Sequence, residues 1–483
     1  MEGAAARLIT RRTALRRSAG TVIALTSACS VTGCAIHAAA SARPAVAEPV
    51  TTVPFQLYVV GIDLSASTRN LIQAFVDRSF NSLHKGIRAV WQPQISPPTI
   101  VTLASGTGAP WILAGCCVWW PQVLPFLERL DPYLQTANIP TSLWSRRQLT
   151  AFQQPDGLYA LPEDAASECF LYRQDILDSL GLPYPSPDWD WIQARALWEQ
   201  CSTVQGTHRR YGVAIPFNPT AWMPEGFPLL GGFGGALMDA TRTRCLLDQP
   251  GSIACGQYFL HMVWNGVATA GGGFPNPGIF DGTVVFTQGA EPTIIYAVQR
   301  LGTGTKWDFI AFPRWPRGPL SILHNNFYGL NAEAQMKDLA WELLQFAAID
   351  PAWSRFYMRL ALAPPGQPRL LEEWKTVLQT VAPVLSTKAL DYWIQPTLGD
   401  NSAYDFEFFQ YQPLQAAALL QKTWVDIWNH KSAVTEGFRT ITQQVNALET
   451  ASRSQAPPPS AAQIVAATQK RNARLNGMFR PQP

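Results

Sequence analysis

The stretch that most constrains the fold is residues 157–185, because it places strands and a helix around a short polar segment. An extended run is followed by the small and polar residues 163–167 and then by an apolar strand at residues 169–172. Asp175 is predicted to cap a short helix that ends at Gly181. The pattern predicts a chain that leaves one α/β layer and enters another.

The length of 483 residues suits two lobes, each with a core of its own. Hydrophobic residues make up 47% and charged residues 15%, which excludes disorder for most of the chain. A net charge of +3, without basic stretches interleaved with aromatic residues, gives no reason to expect a nucleic-acid partner. Most of the 18 Trp residues are expected in the core, but such flat rings also suit stacking on a sugar face.

The N-terminus predicts export. Residues 10–16, T-R-R-T-A-L-R, match the twin-arginine pattern except at Ala14, and an apolar region too short to span a bilayer follows at residues 19–28. V-T-G-C at residues 31–34 has the form of a lipobox, so cleavage before Cys34 and lipidation of that residue are expected.

A plain signal peptide cut after Ala47 is the alternative to the lipobox. In either case the mature chain is expected outside the cytoplasm, and a lipidated Cys34 would anchor it to the cell envelope. Residues 35–54 are rich in Ala and Pro and are predicted to be a tether.

The cysteines indicate neither a metal site nor a catalytic nucleophile. Export permits disulfides, and Cys245 with Cys255 is a pairing that can staple a turn. The adjacent Cys116 and Cys117 would point to opposite faces of a strand, which disfavours a bond between them. Most of the cysteines are therefore predicted to be small buried residues, and no metal or cofactor is expected.

The first part of the fold is predicted to be a βαβ unit. A buried strand over residues 55–63 leads to a helix capped by Ser67 or Thr68, and a second strand follows at residues 87–92. The crossover should be right-handed, with the two strands parallel.

In an open α/β sheet, ligands bind outside the carboxyl ends of the strands. Asp63, Trp119 and Trp120 stand at such ends and are the candidates for a cleft in the first lobe. For the two Trp residues, packing under a helix predicted at residues 123–130 is the alternative.

Three further segments carry a family resemblance together with residues 157–185. They are L-D-P-Y-L at residues 130–134, the Y-G at Tyr211-Gly212, and A-W-E-L-L-Q-F followed by D-P at residues 340–351. In this order the segments closely resemble the extracellular solute-binding proteins of ABC importers, in the sugar-binding family of the maltose-binding-protein type. The resemblance spans about residues 55–448.

The resemblance implies an α/β, two-lobe periplasmic-binding-protein fold. Each lobe would be a mostly parallel sheet flanked by helices, and interleaved hinge crossovers would join the lobes. The expected divisions are a signal peptide with lipobox at 1–34, a tether at 35–54, an N-terminal lobe at 55–163 plus 317–361, a C-terminal lobe at 164–316 plus 362–450, and a mobile tail at 451–483.

The resemblance also implies ligand contacts near the crossovers and in the second lobe. The candidates are Glu163, Trp222, Gly232, Phe233, Gln288, Glu291, Asn325 and Tyr404. Two positions depart from the family pattern, since Trp111 stands where an Asp is usual and Glu291 stands at or near a sugar-stacking Trp. A carboxylate at Glu291 can bond sugar hydroxyls or pair with a cationic ligand.

The function implied is capture of a small solute, a sugar or oligosaccharide, by a monomer that docks on ABC permease subunits in the membrane. No catalysis is expected, because the sequence has no G-x-S-x-G, H-E-x-x-H or Walker A motif. Glu163 and Asp164 are adjacent and point differently, which suits a glycosidase pair poorly. Two alternatives stay open: an envelope lipoprotein with a repurposed cleft, as a sensor or structural protein, and a secreted carbohydrate-active enzyme.

Overall fold

The computed structural model describes most of the chain from Val50 to Gln455. The described residues are 50–57, 65–93, 110–115, 120–154, 156–165, 167–205, 208–215, 229–270, 275–290, 292–318, 320–323, 326–399, 402–404 and 413–455. The predicted signal peptide and lipobox, Cys116 with Cys117, and residues 456–483 of the predicted tail lie outside them. Within the described ranges, no helix has the length and apolar character needed to cross a membrane.

The described chain is a mixture of strands and helices. The strands are β1 (Thr51–Leu57), β2 (Ile87–Pro93), β3 (Ile112–Gly115), β4 (Gln153–Gln154), β5 (Gly157–Leu158), β6 (Leu161–Pro162), β7 (Cys169–Arg173), β8 (Thr203–Gln205), β9 (His208–Ile215), β10 (Ala268–Ala270), β11 (Val284–Gly289), β12 (Trp307–Ile310), β13 (Ser321–Leu323), β14 (Phe327–Leu330) and β15 (Ser402–Tyr404). The α-helices are α1 (Ala66–Ser79), α2 (Trp120–Val123), α3 (Asp131–Thr136), α4 (Arg146–Phe152), α5 (Gln174–Leu180), α6 (Trp191–Cys201), α7 (Leu229–Gly232), α8 (Pro250–Trp264), α9 (Gly278–Asp281), α10 (Pro292–Arg300), α11 (Lys337–Ala348), α12 (Pro351–Ala361), α13 (Leu371–Val381), α14 (Thr387–Leu398), α15 (Pro413–Trp428) and α16 (Val434–Gln455).

The first lobe is built from β1, β2, β3, β6 and β14. β1 and β2 pair in parallel, as the βαβ pattern predicts. β14 lies between β3 and β6 and runs antiparallel to both. The N–H of Trp111 donates to the carbonyl of Pro54 at 2.9 Å and ties the start of β3 to β1. α1, α11 and α12 cover these strands with one continuous hydrophobic core.

The second lobe contains a sheet with the strand order β10-β9-β11-β7-β12, and β8 pairs with β9. β9, β10 and β11 are parallel, whereas β7 runs antiparallel to both β11 and β12. Side chains alternate across β7, so Phe170 and Tyr172 enter one core while Cys169 and Leu171 enter another. The sheet is thus covered on both faces, by α6, α8, α15 and α16 on one and by α13 and α14 on the other.

β7 and β14 each begin just after a crossover, a segment that passes from one lobe to the other. Both run antiparallel to their neighbours in the sheet because of where they begin. β7 begins at the first crossover and runs away from it, whereas β11 ends there, so that Gly289 pairs with Cys169. In the first lobe, Phe327 at the start of β14 pairs with Gly115 at the end of β3 and with Pro162 at the end of β6. The carboxyl ends of β3, β6 and β11 therefore meet at the crossovers, where ligand sites form in α/β sheets.

Two predicted helices differ from the structure. Ser65, rather than Ser67 or Thr68, caps α1 and accepts from the N–H of Thr68 at 3.4 Å. The helix predicted at residues 123–130 is instead the short α2 and a 3₁₀ turn, Leu124–Phe126. Pro125 in that turn has no N–H to continue an α-helical ladder.

Local pairing also changes the start of α5. Arg173, not Asp175, is the N-cap residue, and Asp175 lies in the first turn. The guanidinium of Arg173 bonds the Asp175 carboxylate at 2.7 and 2.8 Å. Although partial burial acts in the opposite direction, these bonds lower the pKa of Asp175. Gly181 ends the helix with φ of 66°, as predicted.

The cysteines of the second lobe are buried and free. Cys169, Cys201, Cys245 and Cys255 carry no disulfide, so the possible pairing of Cys245 with Cys255 is not formed. The sulfur of Cys245 instead lies 3.8 Å from the hydroxyl of Thr442 on α16. Burial raises the pKa of the Cys245 thiol to about 11.

Candidate functional site

The site lies where three segments pass between the lobes. The first crossover spans residues 162–168, the second 311–326 and the third 362–366. The N–H of Glu163 donates to the carbonyl of Asn326 at 2.9 Å, and the N–H of Ala165 donates to the carbonyl of Pro364 at 3.1 Å. The first crossover is therefore hydrogen-bonded to both of the others.

The first-lobe end of this junction holds Glu163, Asp164 and Asn326, whose exposed fractions are 7%, 0% and 1%. The amide nitrogen of Asn326 donates to the Asp164 carboxylate at 2.7 Å. Burial, the Glu163 charge and a hydrogen bond to Glu163 raise the pKa of the neighbouring Tyr328 well above its ordinary value. Polar side chains are thus held together inside the fold.

Gln148 on α4 joins the first and third crossovers at the same junction. Its amide nitrogen donates to the carbonyl of Asp164 at 2.9 Å and to the carbonyl of Gly366 at 3.2 Å. Gly366 also donates its N–H to the carbonyl of Glu163 at 3.2 Å. A Cβ at Gly366 would lie 2.8 Å from the carbonyl oxygen of Pro162, so the first and third crossovers pack backbone against backbone.

The second-lobe end holds Glu168 and Gln288, which are 1% and 2% exposed. The amide nitrogen of Gln288, at the carboxyl end of β11, donates to the Glu168 carboxylate. Among the residues the structure describes, no donor reaches Gln288 Oε1 and the hydroxyl of Thr293 has no hydrogen-bond partner. Both groups flank Gly289, whose added Cβ would lie 2.5 Å from Thr293 Oγ1.

The sequence candidates other than Trp120 fall into three groups. Glu163 and Gln288 lie at the two ends of the first crossover, and the backbone of Tyr404 lies beside the second, since β15 pairs it with Leu323 of β13. Gly232 and Phe233 lie against Trp315 of the second crossover. The candidates outside the described residues are Cys34, Asp63, Trp119, Trp222, Glu291 and Asn325.

Trp120 and Trp111 are core residues of the first lobe. Trp120 is 2% exposed, with ring centroids 5.1 Å from Phe152 and 5.3 Å from Phe327. This packing favours the structural alternative for Trp120 over a ligand contact. Trp111, where the family pattern has an Asp, is also buried in this core, so its indole cannot replace that carboxylate in a cleft.

Gly232 and Phe233 belong to an aromatic cluster. A Cβ at Gly232 would lie 2.6 Å from the ring of Trp315, so only Gly permits this approach. The Phe233 ring lies 5.8 Å from that of Trp315 and 5.9 Å from that of Trp191. The cluster joins the second crossover to α6 and α7 and has a packing role.

The site residues predicted from the sequence did not include Asp164, Glu168 and Asn326. A signal for the first two was present, because residues 163–168 place three acidic residues between two apolar strands. Within the described ranges, no group of three His, Cys, Asp or Glu residues is arranged to hold a metal ion. The described junction therefore offers hydrogen-bonding groups of carboxylate, amide and phenol type.

Comparison with solved structures supports the two-lobe architecture. An ABC substrate-binding protein from Listeria monocytogenes, in complex with cycloalternan, shares 14% identity at a TM-score of 0.69, over 83% of this chain and 99% of that chain. The maltose-bound MalE3 of T. maritima shares 16% identity at a TM-score of 0.64, over 83% of this chain and 100% of that chain. UgpB from Mycobacterium tuberculosis, in complex with glycerophosphocholine, shares 15% identity at a TM-score of 0.64, over 82% of this chain and 98% of that chain.

These likenesses confirm the predicted α/β fold of two lobes. No curated protein matches the sequence. The family model described as bacterial extracellular solute-binding protein matches residues 65–352, more than half of the chain. The chain therefore belongs to the bacterial extracellular solute-binding proteins, a family that acts outside the cytoplasm.

Proposed function

We propose that this chain is the substrate-binding component of an ABC importer, which captures a sugar or oligosaccharide between its lobes and delivers it to a membrane permease. The observation that carries the proposal is the junction of three hydrogen-bonded crossovers, lined by buried polar side chains, at the carboxyl ends of strands from both lobes. Two of the neighbours were solved with sugars, cycloalternan and maltose, which supports this class of ligand.

Hinge closure is the proposed mechanism. Ligand binds one lobe, and contacts to the second lobe then stabilise the closed form. The ligand shifts this equilibrium only by its differential affinity for the closed form. We place the lobe boundaries at the crossovers, with 55–163 plus 317–361 in one lobe and 164–316 plus 362–450 in the other. β1 extends the first lobe back to Thr51, and α16 extends the second to Gln455.

The proposed ligand contacts are Glu163 and Gln288 at the junction, with Tyr404 beside it. Asp63, Trp119, Trp222, Glu291 and Asn325 complete the proposed set from the sequence pattern. Carboxylate and amide groups would bond sugar hydroxyls, and indole rings would stack on the C–H faces of the sugar. We further propose that Cys34 carries the lipid anchor and that the protein is a monomer without catalytic turnover.

A ligand screen of the purified full chain in detergent tests this function. Thermal unfolding and intrinsic Trp fluorescence would be followed with monosaccharides, oligosaccharides, glycerophosphocholine and amino acids. A solute at 100 times its Kd is expected to add about 2.7 kcal/mol of stability. A saturable shift with one sugar class and no product supports the proposal. A shift only with glycerophosphocholine or an amino acid refutes the sugar assignment, and cleavage of a glycoside refutes the transport role.

A further inference from the structure

The second-lobe end of the junction places two side-chain acceptors, the Glu168 carboxylate and Gln288 Oε1, close together. Glu168 and Gln288 are almost completely buried, and the Gln288 amide nitrogen is directed at the Glu168 carboxylate. The carbonyl oxygen of the same amide, Oε1, has no donor among the described residues. A buried acceptor left in this state is destabilising, so a ligand that supplies a donor there gains affinity.

The charged side chains in the two chain segments around this pair are all acidic. Residues 162–168 contain three acidic residues, residues 286–290 contain none, and neither segment contains Lys, Arg or His. Glu163, Asp164 and Glu168 are each at least nine-tenths buried. The local charge of these two segments is therefore negative, which favours a cationic group of the ligand over a neutral one.

We propose that the solute carries a protonated amine, so that the cleft selects an amino sugar or another ammonium compound over a neutral sugar. This inference rests on the solute-binding function proposed above and narrows its ligand class. An ammonium group has three donors and no acceptor, whereas a sugar hydroxyl has one donor and two acceptor lone pairs. Charge-assisted hydrogen bonds are also roughly twice as strong as neutral ones. Glu168 and Gln288 Oε1 are the groups that would receive the ammonium.

The low exposure of this pair agrees with a site that opens at the hinge. The N–H of Glu168 donates to the carbonyl of Ile322 on the second crossover at 3.0 Å, so Glu168 stands on the part of the chain about which the lobes would move. Gln288 lies one residue before the end of β11. Separation of the lobes would admit the amine, and closure would surround it with acceptors.

The test uses tetrasaccharides that differ in charge. Titration calorimetry of the full chain in detergent would compare the glucosamine tetrasaccharide with its N-acetylated counterpart and with maltotetraose, and spermidine would serve as an amine without sugar. The glucosamine compound is expected to bind more tightly than both neutral sugars. Glu168→Gln, which keeps the side-chain shape and removes the charge, is expected to weaken amine binding by about 10- to 100-fold.

Glu199→Gln is the matched control, since Glu199 is exposed on α6 and pairs with Arg195; it is expected to bind like the original chain. Equal binding of charged and neutral tetrasaccharides would overturn the inference and leave the sugar-binding function standing. Binding of spermidine alone would support selection of an amine and refute the sugar. Unchanged amine binding by Glu168→Gln would show that Glu168 does not receive the ammonium. Absence of binding by all four probes would overturn the amine selection, whereas the proposed function fails only if the sugars of the ligand screen also give no shift. If Glu168→Gln does not fold, the comparison of charged with neutral probes on the original chain decides.

Discussion

Replacement of Gly366 by Ala is expected to force the first and third crossovers apart. The new Cβ would lie 2.8 Å from the carbonyl oxygen of Pro162 and 2.9 Å from the carbonyl carbon and oxygen of Glu163. These are backbone atoms, which cannot move aside as the end of a flexible side chain can. The hydrogen bond from Gly366 to Glu163, at 3.2 Å, holds the two segments at this separation.

Overpacking of this kind costs about 1–3 kcal/mol. For lobes of roughly 150–250 residues, 1 kcal/mol corresponds to about 2–4 °C in melting temperature, so a decrease of at least about 2 °C is expected. Since the strained contact joins two hinge segments, the affinity for the solute is expected to change together with stability.

Differential scanning calorimetry of the two Ala variants at identical pH and protein concentration measures this effect. Gly304→Ala is the matched control, because a Cβ at Gly304 meets no heavy atom within 4 Å and the residue has no left-handed backbone. Gly304→Ala should therefore melt close to the original chain. Equal melting temperatures for Gly366→Ala and Gly304→Ala would refute the tight packing of the crossovers.

Three further predictions concern buried ionisable groups. Lys337→Met removes the cation whose Nζ lies 2.9 Å from Glu128, and it is expected to lower the free energy of unfolding in urea by about 3–5 kcal/mol. Adding Glu128→Gln to the same chain should restore part of this free energy, and no restoration would show that the pair is uncoupled. Burial raises the pKa of Asp308 above its ordinary 3.8, so the folded state binds this proton more tightly than the unfolded state. Stability relative to Asp308→Asn should then fall as pH rises from about 4 towards neutral, and parallel stability profiles would contradict this. Cys245 and Cys255, whose thiol pKa values burial raises, should resist iodoacetamide at about pH 8 in the native protein and both react in urea, whereas a chain two mass units lighter would reveal a disulfide.

Several elements were predictable because their signals are local. The run at residues 337–349 has apolar residues at helical spacing and ends before Pro351, and α11 occupies Lys337–Ala348. Asp190 caps α6, and its side chain accepts from two backbone N–H groups, at Ile192 and Gln193. In such cases, the residues that start or end an element lie within one turn of it.

The buried face of a helix was harder to predict when more than one apolar stripe was available. In α15, Ala418 is exposed, whereas Ala416, Leu420, Trp424 and Ile427 are buried. In α16, by contrast, a single stripe at spacings of three and four residues is buried, formed by Val434, Phe438, Ile441 and Val445. In α15 apolar residues recur at several registers, so packing against neighbouring elements decided which face is buried.

The sequence by itself determined the local features: the export signal pattern, the strand and helix succession, and the polar break at residues 163–168 where the chain changes lobes. Only the tertiary structure decided which polar groups meet there. Asp164 bonds Asn326 across 162 positions, and Glu168 bonds Gln288 across 120. Periodicity and capping signals extend over a few residues, whereas these pairs depend on the order of strands in two sheets and on the direction in which each crossover enters them.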